Sequence, residues 1–142
     1  LTSIVTQNID GLHQEAGNKK VLELHGSVLR NYCESCRKFY GVEAIKESEG
    51  IPRCECGGII KPDVVLYEEG LDNYTISESV RRISEADVLI IGGTSLAVYP
   101  AAGLIDYYRG NKLVLINKTP TPKDHMANLV IQGSIGEVFE QL

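Results

Sequence analysis

Four cysteines lie in two close pairs whose spacing could hold a metal ion. Two residues separate Cys33 from Cys36, one residue separates Cys54 from Cys56, and seventeen residues lie between the pairs. This spacing is close to that of structural zinc sites, although the second pair is one residue tighter than usual. Four thiolates around a tetrahedral ion leave no position for water, so we expect one zinc ion that stabilises structure and takes no part in hydrolysis. Two disulfides or four unligated thiols are the alternatives.

A glycine-rich turn at residues 92–95 is a candidate anion-binding site. It contains Gly93, Thr94 and Ser95, follows the apolar segment Val88–Ile91, and precedes a predicted helix. Turns at this place direct backbone N–H groups toward an anion, so a phosphate group would fit. An ordinary strand-to-helix turn would use the same residues.

Polar residues also follow other predicted strands. Gln7, Asn8 and Asp10 come after Ile4–Thr6, and Asn117 comes after a strand-like apolar run. Ligands of open parallel sheets bind outside the carboxyl ends of the strands, where these side chains would meet the glycine-rich turn. Asn117 is placed as a ribose-binding residue would be, but asparagine is also a common turn residue.

His25 is the histidine whose position is most suggestive of chemistry. It follows the apolar segment Val21–Leu24 and precedes Gly26. An exposed imidazole here could act as a general base, whereas a packed loop histidine is the alternative that residue types alone favour. His13 and His125 have no distinguishing context, and we expect both at the surface.

The order of apolar segments predicts the elements that position these residues. Two of the segments are apolar on both faces, which is typical of central strands in a parallel sheet. The predicted strands are Ile4–Thr6, Val21–Leu24, Val64–Tyr67, Val88–Ile91, Leu113–Ile116 and Leu129–Ile131. The predicted helices are Leu12–Ala16, 74–86 (capped by Asp72 or Asn73), one with Pro100 near its first turn and Gly110 after its last, and Gly136–Leu142. We therefore predict an α/β fold with a parallel sheet that has helices on both faces, and a separate small module at Tyr32–Ile60.

Composition and charge exclude several classes of protein. The chain has 142 residues, of which 43% are hydrophobic and 23% charged, as in ordinary globular domains. Nineteen acidic and fourteen basic residues give a net charge of −5, which repels nucleic acid. The apolar segments are far shorter than the roughly 20 residues of a membrane helix. With no signal peptide before the first element, we expect a cytoplasmic protein without a membrane partner.

Several motifs, taken together, resemble the sirtuins, which are NAD-dependent protein lysine deacylases. Residues 6–17, TQNIDGLHQEAG, resemble the most recognisable block of that family, and residues 24–27, LHGS, resemble its catalytic histidine motif. The resemblance continues through the cysteine pairs, KPDVV at 61–65, GTSL at 93–96 and Ile116-Asn117. It covers nearly the whole chain, in the order of the family.

The resemblance implies an incomplete Rossmann-like parallel sheet in a dinucleotide-binding domain at residues 1–29 and 62–142, and an inserted zinc-ribbon-like module at residues 30–61. It also implies NAD-dependent removal of acetyl or other acyl groups from protein lysine side chains, giving nicotinamide, O-acetyl-ADP-ribose and free lysine. In this activity His25 is the catalytic residue and takes a proton from a ribose hydroxyl. One structural zinc ion is bound by Cys33, Cys36, Cys54 and Cys56.

The same resemblance assigns the binding residues. NAD would contact Gln7, Asn8, Ile9, Asp10, Gly93, Thr94, Ser95, Asn117, Lys118, Thr119 and Ile135. An acyl-lysine protein or peptide would pair with the backbone of Val64, Val65, Leu66 and Tyr67. Where the family has Phe-Gly-Glu, this chain has Tyr67-Glu68-Glu69, so a charged side chain replaces a flexible glycine. Glu68 would either favour basic peptides or point to solvent.

Two features of the family have no counterpart in this sequence, a Gly-Ala-Gly-x-Ser phosphate loop and an Asp-Phe-Arg loop. We expect both upstream of Leu1, so that the 142 residues alone would bind NAD weakly and turn over little. The alternative functions are a non-catalytic, zinc-stabilised peptide-binding module and a protein ADP-ribosyltransferase.

Overall fold

Strands β1 (Ile4–Thr6) and β2 (Val21–Glu23) pair in parallel near the start of the chain, with helix α1 (Leu12–Glu15) between them. The computed structural model describes residues 1–141 and divides the chain into two units, the first covering Leu1–Ile76 and the second beginning at Ser77. The β-branched residues of β1 favour an extended backbone. The bounds predicted for β1 are confirmed, and those of β2 and α1 are each one residue shorter than predicted.

An antiparallel sheet in the order β4-β3-β5 completes the first unit. Its strands are β3 (Gly26–Cys33), β4 (Phe39–Tyr40) and β5 (Ile60–Val64), and α2 (Val42–Lys46) precedes β5. Cys33 pairs with Ile60 at one end of the β3–β5 ladder, and Gly26 pairs with Val64 at the other. This ladder therefore connects the cysteine pairs with the loop that carries the histidine.

The strand predicted at Val64–Tyr67 ends at its first residue, because a turn follows. Leu66 N–H donates to a carboxylate oxygen of Glu69 at 2.8 Å, and Glu69 N–H donates to the Leu66 carbonyl at 3.1 Å. Glu68 adopts a left-handed conformation with φ 71°. The Glu69 side chain thus closes a turn where apolar residue types predict continued strand.

Helix α3 (Asn73–Ser84) confirms the predicted amphipathic helix. Asp72 precedes it, and one of its carboxylate oxygens accepts the Thr75 N–H at 2.7 Å and the Thr75 hydroxyl at 2.9 Å. This contact satisfies an N–H group that has no partner within the first turn of a helix. Of the two caps that the sequence allows, the structure uses Asp72.

The second unit contains a parallel sheet in the order β6-β7-β8. Its strands are β6 (Leu89–Gly92), β7 (Leu113–Asn117) and β8 (Leu129–Gln132), joined by short 3-10 helices at Ala101–Tyr107 and Asp124–Met126 and followed by α4 (Ile135–Phe139). Leu96, Ile105, Leu113 and Leu115 form its buried core. The parallel pairing in both units confirms the predicted α/β class.

Three details of this unit differ from the prediction. The helix expected near residues 100–110 is a 3-10 helix. Ile90 in β6 is 48% exposed, so this strand is not buried on both faces, whereas Leu115 in β7 is 2% exposed. The terminal helix ends at Phe139, and Leu142 lies outside the described residues. Within residues 1–141, no helix has the length and apolar character needed to cross a bilayer.

Replacing Gly26 with alanine should destabilise the first unit. Gly26 has φ 75°, and an added Cβ would overlap the carbonyl oxygen of Asp63 in β5. Left-handed strain and this backbone clash together should lower the free energy of unfolding by at least about 2 kcal/mol. Urea denaturation followed by circular dichroism measures the change.

Gly17→Ala is the matched control for this prediction. Gly17 also has a left-handed φ of 89°, but nothing lies within 4 Å of the added Cβ. Only the conformational strain, about 1 kcal/mol, should therefore be lost. Equal losses in the two variants would show that the close approach of β3 and β5 at Gly26 does not matter.

Candidate functional site

His25 lies in the loop between β2 and β3 and is half-buried. Its Nδ1 is 2.9 Å from the carbonyl oxygen of Gln7. Because a carbonyl only accepts hydrogen bonds, Nδ1 carries the proton, and the lone pair of the neutral ring is on Nε2. The Gln7 carbonyl therefore selects the tautomer that a general base acting through Nε2 requires.

Hydrogen bonds hold the segment after β1 against the histidine loop (Leu24–His25) and the start of β3. Val28 N–H donates to the Ile9 carbonyl at 3.0 Å. The carboxylate of Asp10 accepts the Leu12 N–H at 3.0 Å, which shapes the turn into α1. The predicted residues that the structure brings to this place are Gln7, Asn8, Ile9 and Asp10. Among them, the side chains of Asn8 and Asp10 are exposed and so are accessible to a ligand.

The four cysteines come together as their spacing predicts. Their sulfur atoms all lie within 4.8 Å of one another, with the Cys33–Cys56 and Cys36–Cys54 sulfurs each 3.5 Å apart. Four sulfurs around a zinc ion at 2.3 Å would be roughly 3.8 Å apart, so the observed spacing fits a tetrahedral site. All four thiols are free, which contradicts the alternative of two disulfides.

The electrostatics of the cysteine cluster also suit a cation. A hydrogen bond from the Tyr40 hydroxyl to Cys54 Sγ, 3.0 Å long, is the main cause that lowers the pKa of Cys54 to about 6. The Gly58 N–H lowers the pKa of Cys56, but the three neighbouring cysteines outweigh it and raise that pKa to about 12. Without a cation the four groups therefore cannot all be thiolates, and a zinc ion would supply the missing positive charge.

The segment predicted to bind a peptide begins at the edge of the antiparallel sheet. Val64 pairs with Gly26, and Val65 N–H donates to the His25 carbonyl at 3.1 Å. Leu66 and Tyr67 continue into the turn and are 55% and 98% exposed. β5 is an outer strand of its sheet, so its second edge is the place where a further strand would add.

In the second unit, the glycine-rich turn and Asn117 lie at the same edge of the parallel sheet. Gly93 N–H donates to the Ile116 carbonyl in β7 at 3.1 Å, and the Ile135 side chain packs over Gly92, where an added Cβ would overlap it. Asn117 Nδ2 donates to the Thr119 carbonyl at 2.9 Å. The predicted residues that gather at this edge are Gly93, Thr94, Ser95, Asn117, Lys118, Thr119 and Ile135.

Sequence reasoning missed two residues next to these sites. Tyr40 contacts the cysteine cluster, and Arg30 in β3 contacts both Glu23 and Asp63. Tyr40 leaves no sequence signal, because its contact joins residues fourteen positions apart. A signal for Arg30 was available, since a single arginine in the middle of a strand needs an acidic partner on a neighbouring strand.

A family model described as the Sir2 family matches residues 1–100 of the chain. An NAD-dependent protein deacetylase of Clostridium acetobutylicum is 65% identical over 142 residues, which are 99% of this chain and 58% of the relative. The corresponding protein of Clostridium perfringens is 66% identical over 141 residues, 98% of this chain and 58% of the relative. The chain thus spans a little over half the length of these curated relatives.

Solved structures of Sir2 proteins also resemble this chain. The chain is 43% identical to a structure described as Sir2-p53 peptide-NAD+, with a TM-score of 0.91 over 98% of this chain and 60% of that one. It is 42% identical to a structure of Sir2 bound to acetylated peptide, with a TM-score of 0.91 over 98% of this chain and 61% of that one. The chain therefore resembles these Sir2 structures both in fold and in amino-acid sequence.

Cys33→Ser should remove the bound metal and destabilise the protein. Cys33 is fully buried, and a serine hydroxyl is a far weaker zinc ligand than a thiolate. Because metal binding contributes to folding in such modules, the melting temperature should fall to that of the chelator-treated protein. Zinc content and thermal melting with and without chelator measure this, with Ser35→Ala as the control that keeps one zinc ion. Full zinc content in Cys33→Ser would contradict the assignment.

Tyr40→Phe should weaken zinc binding about tenfold, because outer hydrogen bonds to metal ligands contribute this much to affinity. The variant removes only the hydroxyl that donates to Cys54 Sγ. Competition with a chromophoric zinc chelator measures the affinity. Tyr32→Phe removes a hydroxyl from the same sheet, where the Tyr32 ring packs edge-on against Phe39, and should bind zinc as the wild type does. Equal affinities in all three proteins would show that the Tyr40 contact is irrelevant.

Proposed function

This chain belongs to the Sir2 family, and we propose that the whole protein is an NAD-dependent protein deacetylase. It removes acetyl groups from protein lysine side chains and gives nicotinamide, O-acetyl-ADP-ribose and free lysine. The observation that carries the proposal is the hydrogen bond between His25 Nδ1 and the Gln7 carbonyl, 2.9 Å long, which leaves Nε2 ready to accept a proton. Curated relatives at 65% and 66% identity have this activity in their names.

His25 acts as the general base. NAD, when bound, would supply the ADP-ribosyl group: nicotinamide would leave its ribose, the acyl group would pass to a ribose hydroxyl, and one water molecule would be consumed as lysine is released. The role of His25 is to accept at Nε2 the proton of that ribose hydroxyl.

The residues that bind NAD form two groups. In the first group, Asn8, Asp10 and the adjoining Ile9 bind the nicotinamide end and Gln7 binds its ribose, and the Asp10 carboxylate can accept the N–H groups of a carboxamide. The second group consists of Gly93, Thr94, Ser95, Asn117, Lys118, Thr119 and Ile135. This assignment is supported by the position of each group directly after a parallel strand, where ligands of such sheets bind.

Cys33, Cys36, Cys54 and Cys56 hold one structural zinc ion. It organises the module at residues 30–61, and residues 1–29 and 62–142 form the dinucleotide-binding domain. Four thiolates also suit the reducing interior of a cell, so we place the protein in the cytoplasm.

The acyl-lysine substrate pairs with the backbone of Val64 and Val65 and extends along Leu66 and Tyr67. This mode of binding derives affinity from main-chain hydrogen bonds and so tolerates many peptide sequences. The net charge of −5 favours protein substrates over nucleic acid.

His25→Ala should abolish deacetylation. Loss of a general base lowers rates by about 100-fold to 10,000-fold. Mass spectrometry of an acetyl-lysine peptide incubated with the whole protein and NAD should show deacetylated peptide and O-acetyl-ADP-ribose together, and His25→Ala should yield neither. His125→Ala changes an exposed histidine of the second unit and should keep the wild-type rate.

Other products would support the alternative functions. ADP-ribose attached to a protein side chain would indicate an ADP-ribosyltransferase. A peptide that binds without NAD-dependent release of nicotinamide would indicate a non-catalytic binding module. Either result in the wild-type protein would contradict the deacetylase proposal.

A further inference from the structure

We propose that Arg30 is a positioning residue that holds His25 in register with the segment that receives the acyl-lysine peptide. This inference rests on the function proposed above. Arg30 lies in β3, half-buried, and contacts no reacting group itself.

The guanidinium of Arg30 joins three strands. Its NH1 is 2.7 Å from a carboxylate oxygen of Glu23 in β2, and its Nε is 2.9 Å from a carboxylate oxygen of Asp63 in β5. The Glu23 side chain is only 8% exposed, so its negative charge requires a partner within the protein. Arg30 supplies that partner and bonds a second strand at the same time.

Both carboxylates lie close in sequence to the site. Glu23 is two residues before His25, and Asp63 directly precedes Val64. Val65 N–H also donates to the His25 carbonyl at 3.1 Å. The histidine loop and the peptide-binding segment are therefore fixed to each other by a backbone hydrogen bond and by the guanidinium of Arg30.

The Arg30–Asp63 pair should matter more for catalysis than for stability. It adds little to stability, because its side chains are 40% and 46% exposed, whereas loss of the partner of the nearly buried Glu23 carboxylate should lower stability without unfolding the protein. A planar guanidinium with two donor directions nevertheless restricts how its partners can move. Displacing reacting groups by about 1 Å can lower a rate about 100-fold. Without Arg30, Glu23 must turn toward water, which moves the backbone that leads into His25.

Arg30→Met in the whole protein tests this role, because methionine keeps an unbranched side chain and removes both ion pairs. We expect kcat/KM for an acetyl-lysine peptide to fall at least about tenfold, with a raised KM for the peptide and a nearly unchanged KM for NAD. Zinc content and circular dichroism should match the wild type. Arg30→Lys keeps the charge but cannot bond both carboxylates in fixed directions. Its kcat/KM should therefore lie between those of the wild type and Arg30→Met.

Arg82→Met is the matched control. Arg82 pairs with Glu78 at 2.8 Å in α3, with side chains 29% and 19% exposed, so this variant removes a partly buried ion pair that belongs to the second unit. Its kcat/KM should remain within about twofold of the wild type.

A double variant separates the ion pair from other effects of Arg30. If Arg30 acts through Asp63, Arg30→Met combined with Asp63→Asn should lose no more activity than Arg30→Met alone. Fully additive losses would overturn the inference, as would wild-type kcat/KM in Arg30→Met. If Arg30→Met does not fold, Arg30→Lys decides by the same criterion. Absence of NAD-dependent deacetylation in the wild type would instead refute the proposed function, and this inference with it.

Discussion

The pairing of β3 with β5 is the interaction on which the first unit depends. β3 begins directly after His25 and ends at Cys33, and its eight residues lie opposite the five residues of β5, with an irregularity between Ser27 and Asn31. β5 runs antiparallel to it, from Ile60 beside the cysteine cluster to Val64 beside the histidine loop. One strand pair therefore sets the geometry both of the cysteine cluster and of the loop that carries His25. A metal ion bound by the cysteines would in this way affect the position of His25, the proposed general base.

The close approach of these strands depends on the absence of a side chain at one position. At Gly26 the β5 backbone comes so near that a Cβ would overlap the Asp63 carbonyl oxygen. The same approach allows Val65 N–H to reach the His25 carbonyl. His25 is consequently held by backbone contacts on two sides, from Gln7 at its ring and from Val65 at its carbonyl. In the proposed reaction, a histidine held in this way needs little reorganisation before it accepts a proton.

Much of this site could be predicted from the sequence, and the remainder depends on contacts that leave no pattern. The cysteine spacing predicted the cluster correctly, because two close pairs of cysteines separated by a loop are typical of a zinc site. The alternation of apolar segments likewise predicted β1 and the parallel strands of the second unit. The bond from His25 to the Gln7 carbonyl joins residues eighteen positions apart through a backbone atom, which residue identity cannot reveal. The strand predicted at Val64–Tyr67 fails for a local reason, since the Glu69 carboxylate captures the Leu66 N–H.

Hydrogen–deuterium exchange of the whole protein, with and without a zinc chelator, tests most directly whether β3 and β5 transmit order from the cysteines to the histidine. The account predicts that chelation speeds amide exchange along both strands, including the Val65 amide that donates to the His25 carbonyl. If exchange increases only around Cys33, Cys54 and Ile60 while the amides of Val28 and Val65 stay protected, the two ends of the sheet are independent. That result would contradict the account.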